Sequence, residues 1–186
     1  MTSAGLVFLG ALSLAELLLI LLIARKVRQL DDRCASGPAL PAAGAGRPWL
    51  EAGTQIPPFR AQTTSSEPVG LEQLLGQESL VGFFSPGCRP CREQLPAFAR
   101  LASDGGRPSL AIVVGPAGQA DEYLSILDGV VPVVREEQGG PVTTAFAARA
   151  FPGVFLLDPG GKVVASGASV ARVVAGAFAG EATASS

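Results

Sequence analysis

The 186-residue chain has no histidine. That absence removes every mechanism that needs an imidazole: a histidine general base, a His-containing zinc site, a haem axial histidine and a Cys-His protease pair. Cysteine is scarce as well. Three are present, an odd number, which argues against a scaffold stapled by disulfides. Charge is low, at 16% of residues, and nearly balanced, with 14 basic against 16 acidic side chains, so no field exists that would gather nucleic acid. What is abundant is apolar. Hydrophobic residues make up 48%, above ordinary globular usage, and point to one segment that belongs in lipid. The length suits a membrane anchor, a linker and one domain.

From Leu6 to Ala24 the sequence is an almost unbroken run of Leu, Ile, Val, Ala and Phe, about 28 Å as a helix and just enough to span a bilayer. A cleaved secretory signal fits poorly, because Met1 to Gly5 carries no basic residue and the apolar run is long. Lipoprotein processing fits no better, since Cys34 follows Asp31-Asp32-Arg33 rather than small apolar residues. An uncleaved single-pass anchor is therefore expected over residues 1–28. Glu16 lies near its middle, either as a protonated acid or as a contact with another membrane helix. Orientation draws two opposed arguments. Arg25, Lys26 and Arg28 would hold the downstream chain in the cytoplasm by the positive-inside tendency, whereas disulfide chemistry belongs outside it.

Residues 29–52 are rich in Ala, Gly and Pro and read as a tether, with Cys34 in it as a free thiol, an intermolecular disulfide partner or an acylation site. From Gly53 to Gly180 short apolar runs alternate with amphipathic stretches, the texture of one α/β domain. Strands are predicted at Leu80–Ser85, Ser109–Gly115 and Val130–Val134. Helices are predicted at Arg92–Ala102, Asp121–Leu127, Val142–Ala148 and, with a serine cap, Ser169–Ala179. Val154–Leu157 and Lys162–Ala165 flank Asp158-Pro159-Gly160-Gly161 as a hairpin. Residues 181–186 are expected to be a frayed tail.

The chemistry concentrates at Cys88-Arg89-Pro90-Cys91, between a buried strand and an amphipathic helix. A tight Pro86-Gly87 turn would place Cys88 at the first free amides of that helix. There the partial positive charge of the helix end, with Arg89 beside it, favours the thiolate. Cys91, nearly one turn on, is predicted to be more buried and placed to attack back on Cys88. Pro90 suits a first turn, which can spare an N–H, and Pro96 is expected to kink the helix. A zinc site would need two more ligands that a histidine-free chain with a single CxxC does not offer. A structural disulfide across so short a loop would constrain the unfolded chain little. Phe151-Pro152 ahead of a strand leaves two readings, an ordinary trans proline or a cis peptide that frees the preceding backbone to pair with an incoming chain.

Phe83-Phe84-Ser85-Pro86-Gly87-Cys88-Arg89-Pro90-Cys91-Arg92, with Pro96 after it, resembles the thioredoxin superfamily. Within it the layout is similar to the TlpA-like membrane-anchored thiol-disulfide oxidoreductases: an anchor, Pro57-Pro58-Phe59, the CxxC and a proline before a strand-turn-strand. The closest likeness is to the MauD-like proteins of methylamine utilisation, on the anchor, the Phe-Phe-Ser-Pro lead-in and Val154-Phe155-Leu156-Leu157-Asp158. The resemblance implies a thioredoxin-like α/β fold with a central mixed β-sheet flanked by helices, preceded by one transmembrane helix. It also implies an extracytoplasmic domain, Cys88 as nucleophile, Cys91 as resolving thiol and Pro152 in cis. Three positions depart from the pattern. Gly87 replaces a frequent tryptophan, Gly82 a frequent buried acid, and Gln94 a frequent glutamate.

The expected function is thiol-disulfide exchange on protein thiols or disulfides, with Arg89, Pro90, Phe151 and Pro152 supporting the cysteines. No cofactor, metal or nucleic acid is expected. The expected partners are a client protein, which in MauD-like proteins is a disulfide-rich dehydrogenase subunit, the membrane through residues 6–24, and a membrane redox partner. Two alternatives stand beside it: a peroxiredoxin-like peroxidase, suggested by Ser85-Pro86-Gly87-Cys88, and a tethered binding or assembly factor with incidental cysteines.

Overall fold

The computed structural model describes residues 48–104 and 106–183, all within the compact unit Ala43–Ser186. The expected anchor, most of the tether, Glu16, Cys34 and residues 184–186 lie outside the described residues. No helix among the described residues is long and apolar enough to cross a membrane.

Two short strands, β1 (Arg60–Gln62) and β2 (Pro68–Gly70), form an antiparallel pair. The main elements follow: β3 (Ser79–Phe84), α1 (Arg89–Asp104), β4 (Ser109–Val114), α2 (Asp121–Leu127), β5 (Val133–Glu136), α3 (Pro141–Ala145), β6 (Gly153–Leu157), β7 (Val163–Gly167) and α4 (Val170–Thr183). The five longer strands make one sheet in the order β5-β4-β3-β6-β7. β3 runs down its middle, parallel to β4 and antiparallel to β6, so the sheet is mixed. Every residue of β3 is buried, as a strand covered on both faces requires.

Strand alternation divides the core in two. Val81, Phe83, Ile112 and Phe155 point to the face covered by Val142 of α3, by Phe146 just after it and by Phe59, with Phe146 edge-on to Phe155 at 5.2 Å between centroids. Leu80, Phe84, Val113 and Leu156 point to the opposite face, against Leu95 and Phe98 of α1, Tyr123 and Leu127 of α2, and Val170 and Val173 of α4. The connections after β3 and β4 thus go to one face and the connection after β5 to the other. Leu50 is also buried in the core, upstream of the Gly53 boundary.

Several elements differ from the sequence-based expectations. β5 begins at Val133, because Val130 and Val131 finish the turn after α2, with their N–H groups bonded to the Leu127 carbonyl, and Pro132 follows. α3 opens with Pro141 at its first turn and stops at Ala145, ahead of Ala147, which takes φ 46°. α4 continues to Thr183, so Gly180 does not end it and Glu181 to Thr183 are helical. The first amide of that helix, Val170 N–H, is bonded at 3.0 Å by Gln94 Oε1 from α1, where a serine cap from Ser169 was expected. α1 passes through Pro96 as a single helix.

Candidate active site

β3 ends at Phe84 and the chain reverses through Ser85-Pro86-Gly87-Cys88. Cys88 N–H closes the turn on the Ser85 carbonyl at 3.2 Å, and Gly87 holds φ 78°. Proline second and a positive-φ glycine third are the residues such a turn demands. Nothing stands within 4 Å of where a Gly87 Cβ would be. The backbone, rather than crowding, therefore accounts for the lack of a bulky residue there.

The turn delivers Cys88 to the cap position of α1. Its carbonyl accepts the Arg92 N–H at 3.2 Å, and its Sγ accepts the Cys91 N–H at 3.2 Å. A helix end presents amides that lack partners in the helix, and here one of them is spent on sulfur. Cys91 is fully buried, packed among Leu95, Phe98, Val154 and Leu156, while Cys88 is half-buried. The two are joined as a disulfide, with Cα atoms 5.3 Å apart. One sulfur faces outward and the other inward, as the spacing anticipated.

The remaining expected site residues divide by position. The Phe151–Pro152 peptide is cis, and the Phe151 carbonyl oxygen lies 3.6 Å from Cys88 Sγ. β6 starts immediately afterwards, with Gly153 opposite Phe83. The Trp49 indole covers Gly153, with Nε1 3.2 Å from where a Cβ would stand, so a larger residue there would need the indole to give by a few tenths of an ångström. Pro90 occupies the first turn of α1 and is exposed. Arg89 turns outward, with 91% of its side chain exposed, and pairs with Glu93 at 3.2 Å. Its charge is therefore largely compensated and screened rather than directed at Cys88.

The other two departures also have structural explanations. A Cβ on Gly82 would stand 2.6 Å from a Phe98 ring carbon and 2.8 Å from a Phe84 ring carbon. These rings pack against each other at 5.2 Å between centroids and fill the space where a buried acid would lie. Gln94 is engaged in capping α4.

Tyr123 belongs to the site although its position in the sequence does not announce it. It is 1% exposed, and its hydroxyl donates to the Cys88 carbonyl at 3.1 Å, tying α2 to the active-site cap. Burial holds its hydroxyl above the ordinary value, with Arg92 acting against the rise and Glu122 adding to it. Arg92 and Glu122 themselves pair across α1 and α2 at 3.1 Å.

This arrangement can exchange disulfides. An accessible sulfur is held at a positive helix end, and a second sulfur stands behind it in an apolar setting. A family model described as the AhpC/TSA family matches residues 52–166. Among curated proteins, the thioredoxin-like protein YneN of Bacillus subtilis is 24% identical over 121 residues, covering 61% of this chain and 69% of that protein. The thiol-disulfide oxidoreductase ResA of the same organism is 28% identical over 124 residues, covering 64% of this chain and 69% of ResA. The crystal structure of the thioredoxin domain of a thiol-disulfide oxidoreductase from Bacteroides vulgatus shares the fold, with a TM-score of 0.57 and 20% identity over 72% of this chain and 98% of that one.

Proposed function

The chain belongs to the AhpC/TSA family, and on that premise we propose that it is a thiol-disulfide oxidoreductase acting on protein thiols or disulfides. The observation that carries the reading is Cys88 at the cap of α1, its sulfur accepting the Cys91 N–H, with the Phe151 carbonyl beside it. As a reductant, the Cys88 thiolate attacks one sulfur of a client disulfide, that S–S bond breaks, and the first client thiolate leaves. Cys91, once deprotonated, attacks Cys88 Sγ, expels the second client thiolate and closes the Cys88–Cys91 disulfide, so two electrons pass to the client. As an oxidant the same steps run in reverse. ResA, a relative named for this activity, supports the reading.

The finer layout is part of the proposal. An anchor over residues 6–24, a tether to residue 52 and a thioredoxin-like domain over residues 53–180 would hold the exchange site at the outer side of the membrane. A disulfide-containing extracytoplasmic client and a membrane redox partner, the pattern of TlpA-like and MauD-like proteins, suit that placement. The apolar run from Leu6 to Ala24 supports the anchor.

The two alternatives are separable from it. For a peroxidase, the leaving oxygen needs donors around the attacking sulfur. Among the described residues the donor bonded to Cys88 Sγ is the Cys91 N–H alone, and Arg89 points away. In the test, reduced wild type and the C88S/C91S double variant are mixed with a disulfide-bonded protein and, separately, with hydrogen peroxide. Protein disulfide reduction by wild type alone supports exchange. Rapid peroxide turnover without disulfide reduction would replace it with the peroxidase reading, and full biological function in the double variant would leave a binding factor.

A further inference from the structure

Outside the carboxyl ends of the parallel strands lies a crevice of about 350 Å³, lined by Ser85, Val114, Gly115, Pro116, Glu137 and Gln138. Its origin is topological. The chain leaves β4 for α2 on one face of the sheet and leaves β5 for α3 on the other. Adjacent parallel strands whose connections diverge in this way leave an opening at their carboxyl ends, the usual ligand position in open α/β sheets. Here β3 adds Ser85, the first residue of the turn that carries Cys88.

The charges near the cysteines are mostly spent. Arg89 is paired with Glu93 and Arg92 with Glu122, and the Glu136 carboxylate is buried, accepting the Val142 and Thr143 N–H groups and the Thr143 hydroxyl. Glu137 differs. It is exposed, it lines the crevice, and among the described residues its carboxylate has no ion pair or hydrogen bond. The Ser85 hydroxyl is likewise without a side-chain bond among the described residues. Gln138 is held by its amide on the Ala148 carbonyl at 3.4 Å, which braces the crevice wall against the segment leading to Phe151. The exposed Arg149 stands outside this lining.

We propose that this crevice is a specificity site that receives a lysine or arginine side chain of the client polypeptide, its cation facing Glu137 and its stem lying along the exposed Pro116. The inference rests on the reading of the protein as a thiol-disulfide exchanger. The reach is short. Ser85 and Cys88 are the ends of one turn, within about 7 Å of each other, which is about two residues of extended chain at about 3.3 Å each. The preferred basic residue therefore lies about two positions from the client cysteine that meets Cys88. The volume is many times the ~30 Å³ share of one water, enough for a long side chain to enter with its apolar stem buried and its charged end partly wet.

The test uses the purified, reduced full chain and three peptides, each with one internal disulfide and identical except for Lys, Gln or Glu two residues from one cysteine. Reduction of each peptide is followed by chromatography. Wild type should reduce the Lys peptide fastest and the Glu peptide slowest, by about three- to fivefold per step, as a partly screened charge contact gives. The spread should shrink as salt rises. E137Q should bring the three rates together and E137K should invert their order. Equal rates in wild type, or an unchanged order in E137Q, would overturn the crevice assignment while leaving exchange intact. Failure of wild type to reduce any of the peptides would remove the exchange reading and the inference with it.

Discussion

Replacing Tyr123 by phenylalanine removes one oxygen from a buried position and tests whether the α2-to-cap link matters. The hydroxyl donates to the Cys88 carbonyl at 3.1 Å, and that carbonyl also accepts the Arg92 N–H. The acceptor thus keeps one partner, and the loss should be that of an ordinary buried hydrogen bond, about 0.5–1.5 kcal/mol. For a domain of this size that corresponds to a fall in Tm of about 2–6 °C at neutral pH. The alkaline limb adds a second readout. Because burial raises the Tyr123 hydroxyl above its ordinary 10.0, the folded protein holds the phenolic proton more tightly than the unfolded chain. The resulting stability is fully present below about pH 10 and is lost as pH climbs through the higher folded value. Thermal melts of wild type and Y123F from neutral to strongly alkaline pH should therefore converge. Parallel melting curves, or no difference at neutral pH, would refute the placement of this hydroxyl.

Three further substitutions test the packing, the backbone and the buried charge around the site. In G82A the new methyl meets the Phe98 and Phe84 rings at under 3 Å, so urea denaturation should show a loss of about 1–3 kcal/mol from overpacking. G87A has open space around it but a φ of 78° and should lose about 1–2 kcal/mol through the backbone alone. In E136Q one carboxylate oxygen becomes an amide that confronts donors from α3. It should lose about 1–3 kcal/mol in the same assay while Cys88 alkylates as in wild type.

The parts that could be read from the sequence are those where a physical pattern is local. β3, β4 and β6 are buried on both faces and stand out as apolar runs. α2 occupies the residues that its periodicity indicated, and the Asp158–Gly161 turn joins antiparallel strands as its composition demands. The cysteine pair was legible because CxxC between strand and helix is a local signal. β1 and β2 were not, since three-residue strands show too little alternation. Nor was Tyr123, a lone tyrosine whose meaning depends on α2 packing beside α1. Glu137 reads as an ordinary surface acid until β4 and β5 are seen to part company above it. The capping of α4 by Gln94 joins residues 76 positions apart, beyond any local pattern.

The central claim is that Cys88 is the attacking sulfur and Cys91 the protected, resolving one. The most direct measurement is alkylation of the reduced protein by iodoacetamide across a pH series, with mass spectrometry reporting which cysteine is modified. Cys88 should be alkylated first, with a midpoint below the ~8.5 of a free thiol, and Cys91 should stay unmodified until the protein is unfolded. Prior modification of Cys91, or a Cys88 midpoint at or above the free-thiol value, would contradict the account.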